Sequence, residues 1–518
     1  MKKTVRLLSV LMMMIALAVH SAGAESMIQI NGDLAPKTAE EITQMVKKAT
    51  DEYYQDQEIA EELRREISSE ELTFEFFDDE KETITAYTLK HGGNEMRFSM
   101  EQKGEPDENG RYPLYIALHG GGEGEAADND ILWFNMAKYY YNVSIVNGIY
   151  VACRGITNTW DLHFQPESYP LYDRLIQAMI CLYHADPNRV YLLGYSAGGD
   201  GVYQIAPRMA DRFAAANMSA GHPNSVSLRN LMNCPFSIQV GVRDYYSESV
   251  LRCIRAAEFE QVLNDYHDRL GYGYEHQVLV RVPNGHSFND YSDDAVNKPT
   301  EEFWDTSEAT VLANPTAYAN PDVAGPMMTR FMEGFEVGGN RDVSSSSTEF
   351  TDISDLSYRP GYREFDEGIL KIVTEEFHLE LKTVNGSSVH YVSQFTRDPA
   401  PSVVVWDLST RAPKRETTSF YWLRADYSVD RGEILVKAGD GNTITVTPEN
   451  VNGDFSILIH PSLIDVSQPV HFIIPEGEVV VTVNPSEETL RNSIRETGDP
   501  CLAWVAEIPY STLTAALQ

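Results

Sequence analysis

Five residues, Gly194-Tyr195-Ser196-Ala197-Gly198, constrain this chain more than any other stretch. They follow the short apolar run Val190-Tyr191-Leu192-Leu193, which opens after the turn signal Asp186-Pro187-Asn188. A helix-compatible stretch over 200–209 comes next. Strand, sharp turn and helix in that order is the setting in which G-x-S-x-G lifts a serine hydroxyl above a sheet edge. The glycines permit the tight turn that a strained nucleophile position requires. The helix start behind Ser196 offers unpaired N–H groups and a positive dipole end to a developing anion, with the amide of Ala197 first in line.

The same reading supplies partners for Ser196. Residues 113–118 form an apolar strand that runs into His119-Gly120-Gly121-Gly122-Glu123. Glycines there let backbone N–H groups converge on one point, which is how an oxyanion site is built: one N–H from this loop, one from Ala197. Strands are expected at 236–242 and 277–282, the first ending at Arg243-Asp244 and the second at Pro283-Asn284-Gly285-His286-Ser287. Ser196, Asp244 and His286 thus occur in the order nucleophile, acid, base, at spacings of 48 and 42 residues, about one strand–helix unit each. A hydroxyl is a poor nucleophile at neutral pH, so an imidazole must accept its proton and a carboxylate must orient that imidazole.

Further candidates lie where α/β sheets bind ligands, in loops after strands. They are His119, Arg154, Trp160, His163, Tyr195 and His222, read as substrate-pocket residues or, on the plainer reading, as packing.

The stretch from Thr159-Trp160 and His163-Phe164 through Gly194-Tyr195-Ser196-Ala197-Gly198-Gly199-Asp200-Gly201 to Ala220-Gly221-His222-Pro223-Asn224 resembles the α/β-hydrolase superfamily. The resemblance is to its secreted esterase and peptidase-like branch, which includes polyhydroxybutyrate-depolymerase-like and prolyl-oligopeptidase-like enzymes. It implies a mostly parallel sheet flanked by helices. It also implies Ser196, Asp244 and His286 as the triad, and Gly121 and Ala197 as oxyanion donors with Gly120 as the alternative to Gly121. One departure is an insertion, read as a lid or linker, that contains an Ala/Asn/Pro-rich stretch at 309–326 and a serine run at 343–348. His390, just before the familiar pattern resumes at 392–399, is the second candidate base.

From 402 onward short strand patterns recur near every ten residues, with a hairpin signal at Asp440-Gly441-Asn442, which predicts a C-terminal all-β, sandwich-like domain. A structural cap is the favoured role for it and glycan binding the second. The expected organisation is a signal peptide at 1–24, a catalytic α/β-hydrolase domain at 25–298, the insertion at 299–388 and the β-rich domain at 389–518.

Lys2, Lys3 and Arg6 precede an apolar stretch and Ala22-Gly23-Ala24, the pattern of a signal peptide cleaved after Ala24, so the chain is expected to be secreted, extracellular or periplasmic. No later run is long enough to span a membrane. A net charge of −36 over 518 residues argues against nucleic acid or an anionic membrane as partner. Five scattered cysteines show no metal-ligand spacing and read as buried free thiols, with one disulfide as the alternative in an exported chain. No cofactor and no metal are expected. The chemistry predicted is cleavage of a small-molecule or polymer ester through an acyl-enzyme. Peptide amides form the alternative substrate, acyl transfer the alternative outcome, and a non-catalytic glycan- or surface-binding protein the alternative of another class.

Overall fold

The computed structural model describes residues 26–30, 32, 37–75, 81–222, 226–242, 244–247, 250–281, 285–286, 288, 295–296, 370–381 and 383–518. The expected signal peptide, Arg243, Pro223-Asn224 and most of the expected insertion lie outside them.

The strands that carry the site are runs of apolar residues buried on both faces. In chain order the elements are β1 (Ser26–Ile30), β2 (Ile67–Glu75), β3 (Lys81–His91), β4 (Asn94–Lys103), β5 (Tyr112–Leu118), β6 (Gly148–Cys153), β7 (Ala185–Tyr195), β8 (Ala215–Ser219) and β9 (Phe236–Gly241). With the strand His276–Arg281, all but β1 form a nine-stranded sheet in the order His276–Arg281, β9, β8, β7, β5, β6, β4, β3, β2. From His276–Arg281 to β6 the pairing is parallel, and from β6 through β4 and β3 to β2 it is antiparallel.

Side chains alternate across a strand, so each strand feeds two cores. Leu114, Ile116, Leu118, Val190 and Leu192 face the larger cluster, which the helices Ser168–Tyr183, Ala197–Arg208 and Arg252–Leu270 cover. Tyr115, Ala117, Tyr191, Leu193 and Tyr195 face the other, closed by the helix Ala126–Lys138 and the short helix Ser388–Val392. The registers Leu118↔Gly194, Tyr195↔Ser219, Ser219↔Gln239 and Gly241↔Arg281 align the carboxyl ends of five strands along one edge. The loops bearing Ser196, Asp244 and His286 leave from that edge.

The strand-rich C-terminal region holds a six-stranded sheet and a four-stranded one. Two boundaries differ from the sequence-based expectation. β1, expected in the catalytic part at 25–298, lies parallel to the strand Gly477–Val483 at the edge of the C-terminal sheet, from Ser26↔Val479 to Ile30↔Val483. Ile28 and Ile30 pack there against the core while Met27 is exposed, the alternation of an edge strand with one buried face. Conversely, the start of the stretch assigned to the β-rich domain seats on the nine-stranded sheet. The Tyr115 hydroxyl bonds Ser393 Oγ at 2.9 Å, and the Tyr191 hydroxyl donates to Phe395 O at 2.8 Å. Ala295–Val296 and Thr383–Val384 pair antiparallel.

The two regions are joined by buried charge. Arg415 pairs with Asp211 (2.9 Å) and Asp173 (2.6 Å), and Arg397 with Asp499 (2.8 Å). Arg212 bridges Asp499 (3.2 Å) and Asp173 (3.1 Å). Three guanidiniums and three carboxylates balance. All lie in the interior, Asp173 at its margin.

Candidate active site

Ser196 sits between β7 and the helix Ala197–Arg208 with φ 56° and ψ −120°, a conformation a non-glycine residue adopts only when its surroundings impose it. Two hydrogen bonds do so: Ser196 N–H to Ser219 O and Asp200 N–H to Ser196 O, both 2.9 Å. Close backbone approach explains the flanking glycines. A Cβ at Gly194 would lie 2.1 Å from Gly198 O, and one at Gly198 would lie 2.0 Å from Leu118 O. The elbow can therefore press against β5 only with glycine at both positions.

Ser196 Oγ is 2.8 Å from His286 Nε2, and His286 Nδ1 is 3.1 and 3.0 Å from the two Asp244 oxygens. A carboxylate only accepts, so Nδ1 carries the hydrogen and Nε2 presents its lone pair to the serine hydroxyl. Asp244 is buried, and Arg252 Nη1 approaches its Oδ1 at 2.9 Å. The pairing of Tyr245–Ser247 with Val250–Leu251 turns the chain back after Asp244, which is how Arg252 reaches a carboxylate eight residues upstream. The His286 side chain is 40% exposed, so packing alone does not hold the ring.

The glycine loop lies directly over Ser196: a Cβ at Gly120 would be 3.1 Å from Ser196 Cβ and 3.7 Å from its Oγ. Gly121 has φ 114°, and the Gly122 N–H donates to Asn129 Oδ1 at 2.9 Å. Two histidines fix the peptides behind it. Gly155 N–H donates to His119 Nε2 at 3.1 Å, which makes His119 Nδ1 the donor to Gly120 O. His163 Nε2 donates to His119 O at 2.8 Å. In a trans peptide the carbonyl and the following N–H point in opposite directions. Tethering Gly120 O to the His119 ring therefore turns the Gly121 N–H away from that ring. Both imidazoles are fully buried. Burial pushes the His119 pKa well below that of an ordinary histidine and His163 down to about 3, with His163 and Arg154 as further lowering influences on His119.

These contacts place the pocket candidates. His119 and His163 were expected at the substrate; the structure buries both behind the glycine loop, with ring nitrogens bonded to backbone. Arg154 is also buried, paired with Asp130 and donating to Gly155 O and Thr157 O. His222 is buried and its N–H donates to Asp200 Oδ1 at 2.5 Å. Tyr195 is buried beneath the His286 loop. Trp160 is the exception. It is 43% exposed, with its ring against Phe164 and its Cα beside Gly122. His390 is exposed on the helix Ser388–Val392, and its backbone N–H donates to the capping Ser387 Oγ at 3.2 Å.

Sequence reasoning missed Asn129 and Arg252. Both lie in helices with nothing local to mark them. Among the described residues the five cysteines are free, and no group of three or more His, Cys, Asp or Glu is placed to hold a metal ion. No helix of the described residues is long and apolar enough to cross a membrane.

The reversal of β5 and β6 in an otherwise sequential sheet and the elbow after β7 constitute the α/β-hydrolase fold, here with a strand-rich C-terminal region. No protein-family model matches the chain, and no curated protein does. Solved structures similar to it include a thermostable esterase (19% identity, TM-score 0.28, over 42% of this chain and 64% of that one). An S-formylglutathione hydrolase from Agrobacterium tumefaciens (16%, TM-score 0.29, 40% and 88%) and a ferulic acid esterase (14%, TM-score 0.25, 43% and 91%) are others. The chain spans 64% of the length of the thermostable esterase.

Proposed function

We propose that this protein is an exported serine hydrolase that cleaves a carboxylic ester. The observation that carries the reading is the unbroken hydrogen-bonded chain from Ser196 Oγ through His286 to the buried Asp244. As Oγ bonds to the substrate carbonyl carbon, its proton passes to His286 Nε2 and the carbonyl electron pair moves onto oxygen. The N–H groups of Ala197 and Gly121 receive that oxyanion. Collapse of the intermediate breaks the bond to the leaving group, which takes the proton from Nε2. Water then repeats the sequence on the acyl-enzyme, again through His286, and frees Ser196. Loss of one oxyanion donor in such a site lowers the rate by about 10²–10³. An ester is the preferred substrate because its alcohol leaving group is easier to expel than an amide nitrogen, which must be protonated before it can leave.

The test is labelling of the folded protein with a fluorophosphonate, followed by a screen of acyl esters and peptide amides. Labelling is expected in the parent protein and in His390→Ala, and is expected to vanish in Ser196→Ala and His286→Ala. An unlabelled parent protein would overturn the hydrolase reading in favour of a binding role. Faster turnover of peptide amides than of esters would replace esterase by peptidase.

A further inference from the structure

The residue immediately before the nucleophile has a second task. Tyr195 ends β7 on the face that carries Tyr115 and Tyr191, and its ring is packed between Tyr140 (5.1 Å) and Phe288 (5.3 Å). Its hydroxyl donates to the carbonyl of His286 at 2.7 Å and accepts the N–H of Phe288 at 2.9 Å. A phenol has one donor and an acceptor oxygen, and both are spent on the backbone that carries the base. One side chain therefore ties the main chain next to Ser196 to the main chain of His286.

We infer that the Tyr195 hydroxyl is a positioning group that holds His286 at proton-transfer distance from Ser196. The inference rests on the serine-hydrolase reading above. With its ring 40% exposed, His286 depends on two anchors: Asp244, which grips Nδ1, and Tyr195, which grips the backbone on either side of Ser287. Asp244 alone leaves the imidazole free to swing about the Nδ1 contact. The backbone anchor removes that swing and keeps Nε2 at 2.8 Å from Oγ. Tyr195 touches neither the substrate nor the transferred proton.

Tyr195→Phe deletes the hydroxyl and keeps the ring. Tyr191→Phe is its control, because Tyr191 lies on the same strand and face and its hydroxyl also bonds a backbone carbonyl, that of Phe395, remote from the base. The measurement is the single-turnover rate constant for acylation by a chromogenic ester, together with kcat and KM. A rate constant does not depend on the fraction of protein folded, so partial unfolding cannot imitate the effect. Misplacing a reacting group by about 1 Å costs up to about 100-fold. The expected result is a fall of about 10–100-fold in acylation rate and kcat for Tyr195→Phe, with KM within about twofold of the parent. Tyr191→Phe is expected to acylate at the parent rate. Equal acylation rates in Tyr195→Phe and the parent, equal losses in both variants, or a change confined to KM would each overturn the inference. If Ser196→Ala abolishes labelling while Tyr195→Phe reacts at the parent rate, the clamp fails and the hydrolase reading stands. If labelling survives Ser196→Ala, the hydrolase reading fails and the clamp with it.

Discussion

Asp499→Asn tests whether the C-terminal region forms one body with the nine-stranded sheet or is an attached module. Asp499 Oδ2 lies 2.8 Å from Arg397 Nη1 and 3.2 Å from Arg212 Nη1, while Oδ1 accepts the Cys501 N–H at 2.9 Å. An asparagine cannot satisfy both sides. Its amide nitrogen faces either the guanidiniums or the Cys501 N–H, donor against donor, and the cluster is left with one uncompensated positive charge. Removing one partner of a buried pair in this way costs about 3–5 kcal/mol, a large share of the roughly 5–15 kcal/mol that keeps a domain folded. Burial by itself would raise the Asp499 pKa, but Arg397 and Arg212 hold it below the ordinary carboxylate range. The stabilisation from this carboxylate is therefore present above about pH 4 and is lost as the pH falls through its folded value. Urea unfolding followed by tryptophan fluorescence should show one transition in the parent, displaced by about 3–5 kcal/mol at pH 7 in the variant, with the gap narrowing on acidification. A loss under about 1 kcal/mol would refute the argument. So would two separate transitions of which only one moves while Ser196 stays reactive, since that is how an independent module unfolds.

Acidification should also act through the buried imidazoles. The folded pKa of His163, about 3, lies below its unfolded value, so below about pH 6.5 the unfolded chain takes up a proton that the folded chain refuses. This group should remove about 1.4 kcal/mol of stability per pH unit, or about 2 kcal/mol between pH 7 and 5. His163→Gln, which keeps a donor for His119 O, should unfold with a shallower pH dependence over that interval, read from urea midpoints; an identical slope would count against a neutral buried His163. Gly198→Ala should prevent folding or abolish fluorophosphonate labelling, because its Cβ would meet the backbone oxygens of Leu118 and His119 at 2.0 and 2.8 Å. Folded Gly198→Ala that labels at the parent rate would contradict the close packing of the elbow on β5.

The nine-stranded sheet and the residues gathered at its edge were legible because their signals are local. Apolar runs mark β5, β7 and β9, and Ser196, Asp244 and His286 each follow a strand by a few positions. What stayed hidden depends on contacts distant in sequence. Nothing near Arg252 announces that a hairpin returns it to Asp244, and nothing in Ser26–Ile30 names a partner strand some 450 residues away. His119 and His163 looked like pocket residues because polar side chains in strand-end loops usually face solvent or ligand. Here the loop folds over them, and they supply hydrogen bonds that the glycine backbone needs. Arg397, Arg415 and Asp499 each look like surface charge when read singly. Their meaning appears only when Asp173, Asp211 and Arg212 are beside them.

The pairing of β1 with Gly477–Val483 has a consequence in time. Synthesis places more than 440 residues between β1 and its neighbour in the sheet. Until that neighbour is made the edge formed by Ser26–Ile30 has no native ladder to join, and the C-terminal sheet cannot close. Such long-range closure is slow compared with local folding. Closure of this sheet therefore waits for Gly477–Val483, and Ser26–Ile30 stays without its ladder until that strand is made.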